Sequence, residues 1–119
     1  MTRVLLADDH QMVREGLRLI LARVPRIEVV GEATTGLSTL ELVHELLPDI
    51  VVMDIGMPDL NGYEVARRLR HSATGKKVRL IALTGWGQDE DKRRARDAGF
   101  DYHLTKPVDR EGLDALLAE

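Results

Sequence analysis

Five short apolar runs alternate with five amphipathic stretches along the chain, and this alternation limits the folds open to it. The runs are rich in Val, Ile and Leu, as expected for strands covered on both faces. They cover residues 3–7, 27–33, 49–53, 78–83 and 101–105. The alternation predicts an α/β fold with a five-stranded parallel sheet and helices on both faces. We take the strand order to be 2-1-3-4-5, which is the order of flavodoxin-like sheets.

The stretches between the runs have helical spacing, and we expect helices over residues 10–24, 36–47, 62–71, 88–98 and 109–118. The first has an apolar face made of Val13, Leu17, Ile20, Leu21 and Val24. The second has an apolar face made of Leu37, Leu40, Val43 and Leu47. A proline follows each of these helices, so Pro25 and Pro48 are expected to end them.

The fourth helical stretch is unusual because only Ala95 and Ala98 are apolar within it. We expect a solvated helix supported by pairs such as Glu90–Arg94. The alternative is a loosely packed, movable face that a partner uses.

Length and composition narrow the class of protein. The 119 residues fit one domain, and we expect a single domain over 1–119 with no output domain. A net charge of −3 argues against nucleic-acid binding. The absence of cysteine excludes disulfides and thiolate metal sites. No apolar run approaches the length of a membrane span, and no signal peptide is recognisable, so we expect a cytoplasmic location.

Reactive side chains follow four of the five runs. Asp8 and Asp9 follow the first run, Asp54 the third, Thr84 the fourth and Lys106 the fifth. In an open parallel sheet, ligands bind beyond the carboxyl ends of the strands, near the point where the strand order reverses. We therefore expect these groups to lie together at one edge of the sheet.

This set of groups predicts phosphoryl chemistry. Three close carboxylates repel one another unless a cation is present, and Mg²⁺ is the divalent ion that best suits such oxygen ligands. Lys106 and the metal would neutralise phosphoryl oxygens, and Thr84 would donate a hydrogen bond to another. Asp54 can then attack phosphorus and form an acyl phosphate.

Two loops support this prediction. The segment 57–62, Met-Pro-Asp-Leu-Asn-Gly, has residues that favour turns, and it would bring backbone carbonyls near the metal. Met57 is expected beside the site. Lys106 precedes Pro107, and a cis bond between them would re-aim the lysine into the site.

These residues resemble the receiver domain of two-component response regulators, a CheY-like family, over essentially the whole chain. The resemblance rests on Asp8-Asp9, Asp54 with the segment 57–62 after it, Thr84, and Lys106-Pro107. It implies that Asp54 accepts a phosphoryl group from a sensor histidine kinase or a histidine phosphotransfer protein. The domain would then be a switch, not a turnover enzyme.

The resemblance also implies roles for the other site residues. The metal would be Mg²⁺, with Mn²⁺ as a substitute, held by Asp8, Asp9, Asp54 and the backbone carbonyl of Gly56. Thr84, Gly85 and Lys106 would form the phosphoryl-binding and switch set. Movement of Thr84 would rearrange the face formed by the fourth helix, fifth strand and fifth helix. Homodimers often form through this face, although the polar fourth helix offers no clear apolar seam.

The chain departs from the family pattern near the site. His103, three residues before the lysine, replaces the switch aromatic, usually Tyr or Phe, and predicts pH sensitivity near neutrality. Gly56 and Trp86 stand two residues after Asp54 and Thr84, where receivers that dephosphorylate quickly carry polar side chains. Because Gly56 offers no side chain and Trp86 could shield the acyl phosphate, we predict slow self-hydrolysis.

The two halves of the chain also differ. Residues 1–70 resemble receivers joined to LuxR-type helix-turn-helix domains, and residues from about 80 onward resemble receivers of hybrid histidine kinases. A natural mosaic and a recombined or designed chimera both fit this difference.

Three alternative functions compete with the phosphorylatable switch. Phosphatases of the haloacid-dehalogenase type carry Asp-x-Asp-x-Thr after the first strand, which Asp8-Asp9-His10 does not match. A flavodoxin-like FMN binder needs a Ser/Thr/Gly-rich phosphate loop there, and an acidic pair would repel phosphate. A degenerate receiver acting only as an interaction module stays open, although the intact set of Asp, Thr and Lys argues against it.

Overall fold

Five parallel strands form one sheet in the order β2–β1–β3–β4–β5, as predicted. The structure is a computed structural model that describes residues 1–85, 89–106, 108 and 110–117. The strands are β1 (Thr2–Ala7), β2 (Ile27–Ala33), β3 (Ile50–Asp54), β4 (Arg79–Thr84) and β5 (Tyr102–Thr105). The helices are α1 (Gln11–Leu21), α2 (Gly36–Leu46), α3 (Gly62–His71), α4 (Asp89–Ala98) and α5 (Arg110–Leu117).

The core has two layers, one on each face of the sheet. Leu17 and Leu21 of α1 and Leu113 of α5 are buried with residues of the central strands on one face. Helices α2, α3 and α4 bury side chains such as Val43 and Leu69 on the other face. The prediction of helices on both faces is therefore confirmed. The apolar face of α1 is confirmed at Val13, Leu17, Ile20 and Leu21, whereas Val24 lies beyond the end of the helix.

Several predicted element ends differ from the structure. Strands β3 and β4 end at Asp54 and Thr84, as expected, but each extends one residue beyond its predicted apolar run because these residues still pair with the neighbouring strand. Helix α1 ends at Leu21, four residues before Pro25, because the chain tightens there into backbone bonds such as Val24 to Leu21. Helix α2 ends before Leu47, which caps it in a left-handed conformation with φ of 50° and donates its N–H to the Val43 carbonyl.

The predicted face of α2 is wrong at two positions. Leu37 and Leu47 are 53% and 56% exposed, and the buried residues of the helix are Gly36, Thr39 and Val43. Because successive helical residues are rotated by about 100°, a stripe through these three positions leaves Leu37 outside it. Gly36 lies so close to Leu60 that an added Cβ atom would be 2.7 Å from the Leu60 Cβ atom.

The described side chains of helix α4, residues 92–98, contact the domain through two alanines and one arginine. Ala95 and Ala98 are buried, as predicted. The Arg94 guanidinium lies 4.5 Å from the centroid of the Tyr63 ring on α3, within range of a cation–π interaction. The predicted Glu90–Arg94 pair involves a side chain outside the described part of the chain, and the movable-face alternative stays a prediction.

Arg70 on α3 joins the loops that precede β4 and β5. Its Nη1 donates to the carbonyl of Val78 at 2.6 Å, and its Nε donates to Gly99 at 2.9 Å. Its Nη2 also donates to Asp101 Oδ2 at 2.8 Å, and this oxygen accepts the backbone N–H of Leu80. The start of β4 is thereby anchored to α3 and to the turn before β5.

Among the described residues, none of the helices has the length and hydropathy of a membrane-spanning segment.

Candidate functional site

The carboxyl ends of four strands bring the predicted reactive groups together at one edge of the sheet. Asp8 follows β1 directly, Asp54 ends β3, Thr84 ends β4 and Lys106 follows β5. The Lys106 ammonium lies 3.1 Å from Asp8 Oδ2 and 3.4 Å from Asp54 Oδ2. The expected clustering around the reversal of strand order is therefore present.

Asp8 is the most buried acidic group of this edge. Its side chain is 1% exposed, and its Oδ1 accepts the backbone N–H of His10 at 2.8 Å. Its Oδ2 accepts no hydrogen bond from the described residues, although the Lys106 ammonium is near. We attribute this difference to the direction of the ammonium, which is close enough for an ion pair but lies outside hydrogen-bond geometry. Asp8 thus has a buried oxygen available to a cation.

Asp54 lies at the mouth of the site with a side chain that is 10% exposed. Its Oδ1 accepts the backbone N–H of Gly56 at 3.1 Å, which orients the carboxylate. Gly56 is exposed beside it, and an added Cβ atom there would lie 3.9 Å from Asp54 Oδ1. Met57 is adjacent in sequence, but its side chain is buried in the core layer of α2, α3 and α4.

The turn after Asp54 depends on Gly62. Its N–H donates to the carbonyl of Ile55 at 2.7 Å. An added Cβ atom would lie 2.8 Å from Ile55 Cα and 3.1 Å from the Asp54 carbonyl oxygen, both backbone atoms. Glycine is therefore needed because the backbone of α3 closely approaches the segment that carries Asp54.

Asp59, in the same loop, anchors the start of α2. The backbone N–H groups of Leu37 and Gly36 donate to its carboxylate at 3.0 and 2.7 Å. These bonds, chiefly that of Leu37, lower the pKa of Asp59 to about 2. The sequence predicts only a turn role for Asp59, because its contact with α2 spans more than 20 residues.

Thr84 and Lys106 are held by the pairing of the last two strands. The Lys106 backbone N–H donates to the Thr84 carbonyl at 2.8 Å. The Thr84 hydroxyl donates to the Leu104 carbonyl at 3.5 Å, which is long for an O–H donor. Gly85 is exposed, with open space where a Cβ atom would stand. Trp86 and Pro107 lie outside the described residues, so their predicted roles stay predictions.

His10 belongs to the site although the sequence analysis missed it. Its Nδ1 lies 3.1 Å from Asp8 Oδ1, 3.2 Å from Asp9 Oδ1 and 4.0 Å from Asp54 Oδ2. One ligand atom from each of these four residues lies within 4.8 Å of the others. The run Asp8-Asp9-His10 places this histidine next to the carboxylates along the chain, but it does not fix the direction of the ring.

A family model described as the response regulator receiver domain matches residues 4–118 of the chain. The chain belongs to this receiver domain family. The response regulator protein VraR of Staphylococcus aureus is 36% identical over 111 residues, which are 93% of this chain and 52% of that protein. The chain thus spans about half the length of such relatives.

Solved structures agree with this receiver assignment. A LuxR-family two-component response regulator from Aurantimonas is 34% identical, with a TM-score of 0.87 over 99% of this chain and 86% of that one. The chemotaxis response regulator CheY4 of Vibrio cholerae is 25% identical, with a TM-score of 0.88 over 99% and 97%. The CheY-like, flavodoxin-like fold is confirmed, whereas the mosaic or chimeric origin stays untested.

Receiver domains bind Mg²⁺ at an acidic pocket, and the donor set here fits such an ion. Three carboxylates converge, and the buried Asp8 Oδ2 has no hydrogen-bond donor among the described residues. A hard cation with oxygen ligands would relieve the repulsion between these carboxylates. The acidic cluster of this receiver domain could therefore hold a metal ion.

His103 lies half-buried on β5 in this receiver domain. Burial lowers the pKa of His103, and the positive charges of Lys92 and Arg96 on α4 lower it further. Its charge therefore changes at a lower pH than that of an ordinary histidine, and it is more fully neutral near pH 7 than the sequence alone indicated.

Proposed function

We propose that this receiver domain is a phosphorylatable switch in which Asp54 accepts a phosphoryl group from a sensor histidine kinase or a histidine phosphotransfer protein. Receiver domains as a family interact with such proteins. The observation that carries the proposal is the position of the Lys106 ammonium, 3.4 Å from Asp54 Oδ2, on a side chain that is 10% exposed. A cation beside the attacking carboxylate offsets the negative charge of the phosphoryl oxygens and so favours in-line attack.

The transfer step exchanges one bond to phosphorus for another. An Asp54 carboxylate oxygen attacks the phosphorus of a phosphohistidine, so that an O–P bond forms while the P–N bond breaks. The leaving imidazole nitrogen retains the electron pair of the broken bond and is protonated. The Gly56 N–H holds Asp54 in position, and Lys106 offsets the charge on the transferred oxygens.

Asp8, Asp9, Asp54 and the Gly56 carbonyl would hold Mg²⁺, or Mn²⁺ in its place, and the bound ion would neutralise phosphoryl oxygens. Lys106 contacts both Asp8 and Asp54, and so it sets the spacing between the two carboxylates. Arg14 donates to the Asp8 carbonyl at 2.7 Å and secures the segment from β1 into α1.

Thr84 would couple phosphorylation of Asp54 to a change at the surface formed by α4, β5 and α5. Its hydroxyl makes a long bond of 3.5 Å to the Leu104 carbonyl, which costs little to break. A phosphoryl oxygen is a charged and stronger acceptor. Rotation of Thr84 toward it would free the Leu104 carbonyl beside His103 and rearrange the surface formed by α4, β5 and α5.

The proposed switch is not a turnover enzyme. It undergoes phosphoryl transfer and slow hydrolysis at Asp54. The intact set of Asp54, Thr84 and Lys106 favours a switch over a purely structural interaction module. The cytoplasmic location, the single-domain extent, the absence of direct nucleic-acid binding and a homodimer through α4, β5 and α5 remain predictions.

A phosphoryl mimic tests the proposal. Fluoroberyllate binds a carboxylate that has the geometry for phosphoryl transfer, so thermal melts should be recorded with Mg²⁺, with and without fluoroberyllate. We expect the melting temperature of the wild-type chain to rise, that of Asp54→Asn to stay unchanged and that of Thr84→Ala to rise less. An equal rise for wild-type and Asp54→Asn would refute the proposal.

A further inference from the structure

We propose that His10 is a nitrogen ligand of the divalent-cation site and favours first-row transition ions there over Mg²⁺. This inference deepens the proposed function and rests on it, because the ion concerned is the one that supports phosphoryl transfer to Asp54.

The first observation is the spacing between the ligand atoms. In an octahedral site with bonds of about 2.1 Å, neighbouring ligand atoms lie about 3.0 Å apart and opposite ones about 4.2 Å apart. His10 Nδ1 lies 3.1 Å from Asp8 Oδ1 and 3.2 Å from Asp9 Oδ1. It lies 4.0 Å from Asp54 Oδ2. These distances match two neighbouring positions and one opposite position around a shared ion.

The second observation is a buried oxygen on the carboxylate that His10 contacts. Asp8 Oδ2 lies on a side chain that is 1% exposed, and it accepts no hydrogen bond from the described residues. Lys106 approaches Asp8 from the Oδ2 side, while His10 approaches from the Oδ1 side. An ion shared by His10 and the carboxylates therefore leaves room for the Lys106 ion pair.

The third observation is that the backbone of His10 is held in place while its ring does not cap α1. His10 is the N-cap residue of α1, and its side chain makes no capping hydrogen bond. Its backbone N–H donates to Asp8 Oδ1, which keeps the residue beside the carboxylates. The imidazole is 63% exposed and so accessible to an ion, and its Nδ1 lies within hydrogen-bond distance of Asp8 Oδ1.

Ligand chemistry then determines ion preference. Sites built of carboxylates, carbonyls and water suit Mg²⁺, whereas imidazole suits ions such as Ni²⁺, Zn²⁺ and Fe²⁺. With His10 as a ligand, Ni²⁺ should bind far more tightly than Mg²⁺, and loss of His10 should reduce this difference.

Calorimetric titration with Mg²⁺ alone and Ni²⁺ alone tests the inference. The proteins are the wild-type chain, His10→Ala, His71→Ala as a control for an exposed histidine, and Asp8→Asn. We expect His10→Ala to weaken Ni²⁺ binding at least about tenfold and Mg²⁺ binding less than about threefold. We expect His71→Ala to change neither at the site, and Asp8→Asn to lose both ions.

Pulsed electron paramagnetic resonance of bound Mn²⁺ gives a direct readout. Nitrogen modulation should be present in the wild-type chain and absent in His10→Ala. If Asp8→Asn loses ion binding while His10→Ala changes neither ion, or weakens both equally, the role of His10 is wrong and the cation site stands. If Asp8→Asn still binds both ions, the cation site of the proposed function is itself wrong, and this inference is overturned with it.

Discussion

The Lys106 ammonium lies 3.4 Å from Asp54 Oδ2, although Lys106 follows β5 and Asp54 ends β3, two strands that are not neighbours in the sheet. Strand β4 lies between them, and the Lys106 backbone is bonded to the end of that strand. The lysine therefore reaches over the end of β4 to the carboxylate. Lys106 therefore links Asp54, the candidate phosphoryl acceptor, to β5, which belongs to the surface that is proposed to change.

Replacing Lys106 should destabilise the chain when metal is absent. Lys106→Met leaves the carboxylates of Asp8 and Asp54 without their ammonium partner, and we expect a loss of about 1–3 kcal/mol in the free energy of unfolding. Urea unfolding in EDTA measures this, with the exposed Lys77→Met as a control, and added Mg²⁺ should restore much of the loss. Equal stability of the two variants in EDTA would contradict this view of Lys106.

Two glycine-to-alanine changes should have opposite effects. At Gly62 an added Cβ atom meets backbone at 2.8 Å, and we expect a loss of about 1–3 kcal/mol with weaker phosphorylation of Asp54. At Gly16, inside α1, an added Cβ atom meets nothing within 4 Å, and we expect a gain of about 0.5–1 kcal/mol. Urea unfolding of both variants measures these changes. An unchanged free energy of unfolding for Gly62→Ala would show that the close approach is not needed.

Asp59 should contribute to stability in a defined range of pH. Its pKa is lowered from 3.8 to about 2 by the backbone N–H groups of Leu37 and Gly36. The folded state therefore stabilises the charged form of the Asp59 carboxyl group more than the unfolded state does. This stabilisation is present above about pH 4 and is lost as the pH falls toward 2.

The comparison of Asp59→Asn with the wild-type chain measures this effect. The difference in their melting temperatures should be constant above pH 5 and should shrink between pH 4 and pH 2. Glu45→Gln, which removes an exposed carboxylate from α2, serves as the control. A difference for Asp59→Asn that does not change with pH would contradict the assignment.

A polar side chain at position 56 should speed the loss of the phosphoryl group. The Gly56 backbone does not need a positive φ, and its Cβ position lies 3.9 Å from Asp54 Oδ1. The amide of Gly56→Asn can then orient water toward the acyl phosphate, and we expect decay about tenfold faster or more. The decay of the phosphorylated mass with time measures this. An equal acceleration in Gly56→Ala would show that added volume, not the amide, is responsible.

The fold and the main site could be predicted because both depend on simple patterns. Alternating runs predict β–α units, and the ends of parallel strands meet at one edge, so Asp8, Asp54 and Lys106 could be placed together. The strand order came from analogy with flavodoxin-like sheets. The face of α2 was predicted wrongly because capping by Thr35 and Asp59 fixes its start, and the contact with Asp59 is remote in sequence.

His10 could not be placed from the sequence for a different reason. An N-cap residue can point its side chain back at the helix or away from it, and the sequence pattern is the same in both cases. Here the backbone bond to Asp8 holds the residue so that its ring faces the carboxylates. The long bond of Thr84 to Leu104 likewise depends on tertiary pairing.

The central claim is that Asp54 accepts a phosphoryl group, and intact mass after incubation with a small-molecule phosphodonor and Mg²⁺ tests it most directly. An Asp54→Asn variant and a sample with EDTA are treated in the same way. We predict one phosphoryl adduct on the wild-type chain and none in either control. No adduct on a folded wild-type chain, or an equal adduct on Asp54→Asn, would contradict the account.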